Sequence, residues 1–381
     1  MIMTQRLVPT NKGALLLVLR EWKARWPAMG VLALLPEKES TKVPILQAVT
    51  KEEGVSLLGA VFPLLIADGA FRDGGVLLLC FEEMPGHFLI PGLSGDGRNK
   101  LTECVAALIA DAAARESQRP TLLTIFDAMV PDIGSLMDDM HLQLPSPPWY
   151  VGANAGSESF QPMPCLFDRE QIVGDAVLGL MLADQLPAIV KHDYPVSKTL
   201  MRATSATGNR IVTINNRPAF DVYQEIIGAE YGVALTRENF YQYAVHFPFG
   251  VVMAVDVLVR IPVALDDDGS LVCVGEIPPD SMLRMLKAPE LAQSTCVTTI
   301  CNMLENRVVY PTPFNLLTFY CAGRRMHFSE HADAELKQLQ QDLGSALVFG
   351  ALSLGEIDSN EDFDLPRFHN AALVCLPQKL T

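Results

Sequence analysis

Asn315-Leu316-Leu317-Thr318-Phe319-Tyr320-Cys321-Ala322-Gly323-Arg324-Arg325 is apolar up to Tyr320 and then turns small and basic. A charged segment covers residues 330–342, and Ala346-Leu347-Val348-Phe349-Gly350-Ala351-Leu352-Ser353-Leu354-Gly355-Glu356-Ile357 follows. Leu316 to Tyr320 has the β-rich composition of a buried strand. In the charged segment and just after it, Leu336, Leu339 and Leu343 form one apolar stripe, which predicts an exposed helix. The order is therefore strand, small-residue turn, helix, strand, small-residue turn. Each strand ends in polar groups: Cys321 and Arg324 after the first, Ser353 and Glu356 after the second. Layered α/β folds hold ligands outside the carboxyl ends of strands, so these four residues are the leading site candidates.

Working outward, the 381-residue chain is long enough for two domains, and 49% apolar residues mark it as globular. Lysine and arginine number 29 against 44 acidic residues, a net charge of −15, which opposes nucleic-acid binding. The eight cysteines are scattered with no C-x-x-C pair, as expected of a reduced, cytoplasmic protein. Residues 1–10 lack a signal-peptide pattern, and no apolar run reaches the length of a membrane span. A soluble protein without membrane insertion is expected.

Along the chain, residues 12–26 predict an amphipathic helix and 29–35 a strand stopped by Pro36. Residues 43–49 read as a second strand and 52–58 as a turn or short helix. Leu57-Leu58-Gly59-Ala60-Val61-Phe62-Pro63 leads through Asp68-Gly69 to the apolar strand 76–81. A loop is expected over 91–99, helices over 101–115 and 133–142, and a strand over 121–126. The order strand, Gly-Ala, spacer, turn, long apolar strand then recurs from Trp149 to Met181, a weak internal repeat. Residues 203–210 are small and polar, 211–214 form a strand, and 219–228 form a helix capped by Gly228. The domains are placed at 1–197 and 198–381. Residues 291–305 suit strand and helix equally. The expected class is α/β, with two mixed-sheet domains and helices packed on the sheets.

Other motifs are weaker. Asp266-Asp267-Asp268 lacks the ligand spacing of a calcium loop and reads as a hairpin turn. Gly92 to Gly97 lacks a nucleotide-loop context. His327 and His331 could share a helix face, but no H-E-x-x-H motif supports a metal. His246, before Phe247-Pro248-Phe249, has the apolar flank that suits an axial haem ligand, and a structural histidine is the competing reading. Cys321 with His327 suggests a thiol hydrolase, against a structural cysteine at a strand end. Arg324 and Glu356 either pair or face solvent, or they bind ligand. In the last case Arg324 would grip a carboxylate and Glu356 an amine, which suits an amino-acid-like solute.

The chain resembles the FIST proteins, a two-part sensory family. The N-terminal resemblance lies in Leu58-Gly59-Ala60, Val151-Gly152-Ala153-Asn154-Ala155-Gly156 and Gly174-Asp175-Ala176-Val177. The C-terminal resemblance lies in Ile214 to Tyr223, Gly269-Ser270-Leu271, Cys321-Ala322-Gly323-Arg324, Phe349-Gly350-Ala351, Gly355-Glu356-Ile357 and His369-Asn370. It implies a non-catalytic protein that binds a small ligand and signals to a partner such as a histidine kinase. Its motifs add Asn154 and Asn370 to the ligand-binding candidates. The stand-alone layout resembles a branch described as haem-binding nitric-oxide sensors, for which His246 or His327 would be the ligand. Val61-Phe62-Pro63 departs from the family's small polar residues at the first Gly-Ala turn, and the family's glycine at the later turn is replaced around Ala351-Leu352-Ser353.

Overall fold

The computed structural model describes residues 2–114, 119–183, 188–254, 256–307, 314–359 and 365–379. Arg115, at the end of the helix expected over 101–115, lies outside them. The architecture is α/β, with four sheets.

Three sheets share one plan. In the first, Gly30–Pro36 and Ser56–Phe62 run parallel, and Val76–Phe81 pairs antiparallel to the former, with Ile2–Val8 outside it. The second has the parallel pair Thr121–Asp127 and Trp149–Ala155, then Ala176–Leu182 and His87–Pro91. The third has Phe314–Cys321 and Val348–Ser353, then Leu373–Lys379 and Ile189–Lys191. A parallel pair needs a crossover connection, and helices supply it: Val43–Glu53, Ile133–Gln143 and Ala332–Asp342. Residues 43–49 are thus helix rather than strand. Their β-branched content misled, while Pro44 in the first turn favours a helix start.

Each sheet is completed by a hairpin that its own unit does not supply. Leu65–Ala67 and Ala70–Arg72 leave the first unit and join the third sheet. Leu166–Asp168 and Ile172–Val173 leave the second and join the first. Glu356–Ser359 and Pro366–His369 leave the third and join the second. The exchange is cyclic. The recurrence seen between the stretches 57–81 and 149–181 is therefore two copies of a threefold repeat, whose third copy runs from Val348 to Lys379. Ala60, Ala153 and Ala351 occupy the same place in the three copies, all fully buried where the three sheets share a core with Val31, Leu123 and Phe319.

A fourth, wholly antiparallel sheet is inserted between Ile189–Lys191 and the helix Cys296–Arg307. It begins with Val196–Thr207, so residues read as small and polar form a long strand, and the helix Ala219–Tyr231 packs on it. That helix runs past Gly228 to a left-handed Gly232 cap at φ 68°. The hairpin around Asp266 to Gly269 forms as read, between Pro262–Leu265 and Leu271–Cys273. Residues 291–305 resolve mainly as helix, and the segment after Cys321 is the helix Ala322–Phe328 instead of a turn.

Candidate functional site

The polar strand ends converge where the second and third sheets meet the inserted one. Cys321 and Ser353 end the parallel strands of the third sheet and face each other in register. Glu356 enters the second sheet opposite Ala153 and His369. At the places equivalent to Glu356, the other two copies carry Leu65 and Leu166. One copy has put a fully buried carboxyl where its sisters put leucine.

Ser353 Oγ donates to Glu356 Oε1 at 2.5 Å, while the Ala371 N–H donates to Cys321 Sγ at 3.0 Å. Burial pushes the Glu356 carboxyl up to about 8, against the lowering influence of the Ser353 and Cys321 hydrogen bonds. Burial, with Glu356 adding to it, also raises the Cys321 thiol, so Cys321 is held neutral. An activated nucleophile needs the opposite shift.

Asn370 Nδ2 donates to the His369 carbonyl at 2.9 Å, which leaves its Oδ1 as the open end. His369 Nε2 lies 2.6 Å from Asp358 Oδ1 and must donate there, so its Nδ1 is a lone pair in the neutral ring. Among the described residues, Asn154 Oδ1, Glu356 Oε2, His369 Nδ1 and Asn370 Oδ1 are buried without a hydrogen-bond partner. Unsatisfied buried polar groups are expensive, and so many in one place mark a site.

A cavity of about 250 Å³ opens beside them, with Cys321, Asn370 and Leu354 on the body side and Val245, Ile261 and Val274 from the inserted part. A second lobe of about 250 Å³ contains Asn154 and shares Phe160, Val263 and Val274 with the first. Two contacts tie the inserted part down nearby. Arg260 Nη1 donates to the Phe368 carbonyl at 2.9 Å, and Glu276 accepts from the Ser135 N–H at 2.8 Å.

Of the candidates, Asn154, Cys321, Ser353, Glu356 and Asn370 gather here. Arg324 does not pair with Glu356 and does not face solvent. It is fully buried against Glu335, with Nε–Oε2 at 2.8 Å and Nη2–Oε1 at 2.6 Å, and also donates to the His192 carbonyl. Its fork is spent inside the fold. Glu335 escaped notice because the charged segment read as a solvated face. His369 was missed as a site residue, although its place beside Asn370 was visible.

His246 and His327 meet Nδ1 to Nδ1 at 2.7 Å. His327 Nε2 lies 2.7 Å from the Pro289 carbonyl, which only accepts, so His327 accepts at Nδ1 and His246 donates. His246 Nε2 is then the open lone pair. Burial depresses both rings, which favours these neutral forms. Phe247 and Phe249, expected to flank a haem, are instead buried in the core of the inserted part. The residues present offer haem an axial nitrogen, and the slot would have to come from elsewhere. No cluster of three or more metal-binding side chains occurs among the described residues, and no described helix is long and apolar enough to cross a membrane.

Compared with known families, residues 35–217 match the FIST N domain and residues 219–359 the FIST C domain. No curated protein matches the chain.

Proposed function

Since the chain belongs to the FIST family, whose domains are sensory, we propose that it is a non-catalytic intracellular sensor that binds a small molecule in this cleft and signals to a partner protein such as a histidine kinase. The observation that carries the reading is the makeup of the cleft. One wall belongs to the threefold body and the other to the inserted sheet, so a bound molecule touches both at once. A ligand that prefers one arrangement of the two parts shifts the population toward it, and a partner reads the changed surface. The neutral, enclosed Cys321 thiol argues against the hydrolase alternative. The enclosure of Arg324 argues against a solute held by its carboxylate on that residue.

Thermal-shift screening of amino acids and amines, followed by hydrogen exchange, tests the sensor. A bound compound is expected to slow exchange on both walls, around Val245, Ile261 and Cys321. Protection confined to one wall, with unchanged partner affinity, would sink the reading. The open Nε2 of His246 favours a second reading, a haem-based nitric-oxide sensor. It demands a stoichiometric Soret band that moves with nitric oxide and disappears in His246→Ala.

A further inference from the structure

The mouth of the Cys321 cavity carries an unusual share of exposed apolar surface. Tyr241 is 65% exposed, Met326 56%, Val263 40% and Phe160 38%, and all four line this one opening. Exposed apolar groups gathered around a concave site mark contact with an apolar partner. Polar character deepens inward. Asn370 lines the cavity and is 1% exposed, with its Oδ1 unpartnered and its Nδ2 fixed on the His369 carbonyl. Asn154, buried with its Oδ1 likewise unpartnered, lines the adjoining lobe.

The partnerless atoms that line the cavity and its adjoining lobe are suited to accept. Asn370 Oδ1 in the cavity and Asn154 Oδ1 in the adjoining lobe are amide oxygens. Among the described residues, the only charged side chain lining the Cys321 cavity is Glu158, whose Oε1 holds Arg325 Nη1 at 3.1 Å. Arg324 is committed to Glu335. Among the described residues the cavity therefore presents acceptors and an acid, with no unspent cation to receive a carboxylate.

Volume sets the size. A cavity of ~150 Å³ holds benzene, so about 250 Å³ holds a body of roughly ten non-hydrogen atoms. We infer that the ligand is a carboxylate-free apolar amine, its ammonium group directed to the Asn370 end of the cavity and its aromatic or branched body lying between Val245, Ile261 and Val274 beneath the Met326–Tyr241 mouth. This rests on the sensor reading of the same cleft and narrows it from amino-acid-like solutes to amines.

The test titrates the full chain by calorimetry with 2-phenylethylamine, phenylacetate and phenylalanine, matched in apolar body and different in charge. The expected order has the amine binding at least about tenfold more tightly than either carboxylate. Asn370→Ala should weaken the amine about tenfold, and Val263→Trp, at the exposed mouth, should abolish binding while leaving the fold intact by circular dichroism. The mouth variant keeps the test decisive if the buried one fails to fold. Tighter binding of phenylalanine or phenylacetate, lost in Val263→Trp, would overturn the amine assignment and leave the ligand-binding cleft standing. Binding of all three that Val263→Trp leaves unchanged, or no binding by any of them, would overturn both.

Discussion

Glu356 is a carboxyl group where chain packing alone would choose leucine, as it does at Leu65 and Leu166. The cost of stripping its charge of water raises its proton affinity, so between the ordinary carboxyl range and about 8 the folded chain binds a proton the unfolded chain releases. The sign follows. Glu356 contributes most to stability at the acid end and loses that contribution as pH rises through about 8. Glu356→Gln keeps the shape without the charge and should therefore lose less stability than the parent between pH 5 and pH 8. Urea unfolding at both pH values measures this, and an equal loss in the two proteins would assign the slope elsewhere. Sequence alone brought out Glu356, Cys321 and Ser353, because polar groups at the ends of apolar strands are conspicuous. It misjudged Arg324, since its partner Glu335 lies in a helix whose charges all looked solvated.

At the level of the element, the Gly-Ala dipeptide explains how the parallel pairs close. A Cβ at Gly59 would lie 2.6 Å from the Ala33 carbonyl oxygen, one at Gly152 2.2 Å from that of Thr124, and one at Gly350 1.9 Å from that of Thr318. The three glycines do the same thing in three sheets: they let the neighbouring strand approach. Gly350 also has φ at 149°, which disfavours a side chain further. Gly350→Ala should cost about 3 kcal/mol. Gly344→Ala, at φ 65° with open space around it, should cost only about 1 kcal/mol. Denaturant midpoints compare them, and equal costs would show that the close approach is not what Gly350 provides. The first two copies were legible because each places Gly-Ala before a long apolar strand. The third was hidden because its Gly-Ala was read as part of the ligand-bearing stretch. The strand Val196–Thr207 was hidden because its alternate positions are solvated, so its text looks like a loop.

At the scale of the molecule, the cyclic exchange of hairpins links the three sheets into one body, and the expected division at 197–198 falls inside the strand Val196–Thr207. The fragment 1–197 would lack Glu356–Ser359 and Pro366–His369 from its second sheet, and its own hairpin 65–72 would have no third sheet to join. Expressed alone, it should show no cooperative thermal transition by calorimetry. A sharp transition would mean that the first two units stand without the third. Sequence could not reveal this, because a hairpin looks the same whether it folds onto its own unit or a distant one.

The same exchange has a consequence for synthesis. Leu65–Ala67 pairs with Val348–Ser353, so the first unit's hairpin leaves the ribosome long before its partner strand is made. At ordinary elongation rates the wait is on the order of tens of seconds. During that time Ile66 and Phe71, bound for the third unit's core, have nowhere to go. The nascent chain thus displays an unpaired β edge through most of its birth, and its yield in the cell should depend on whatever shelters that edge until the last strands arrive.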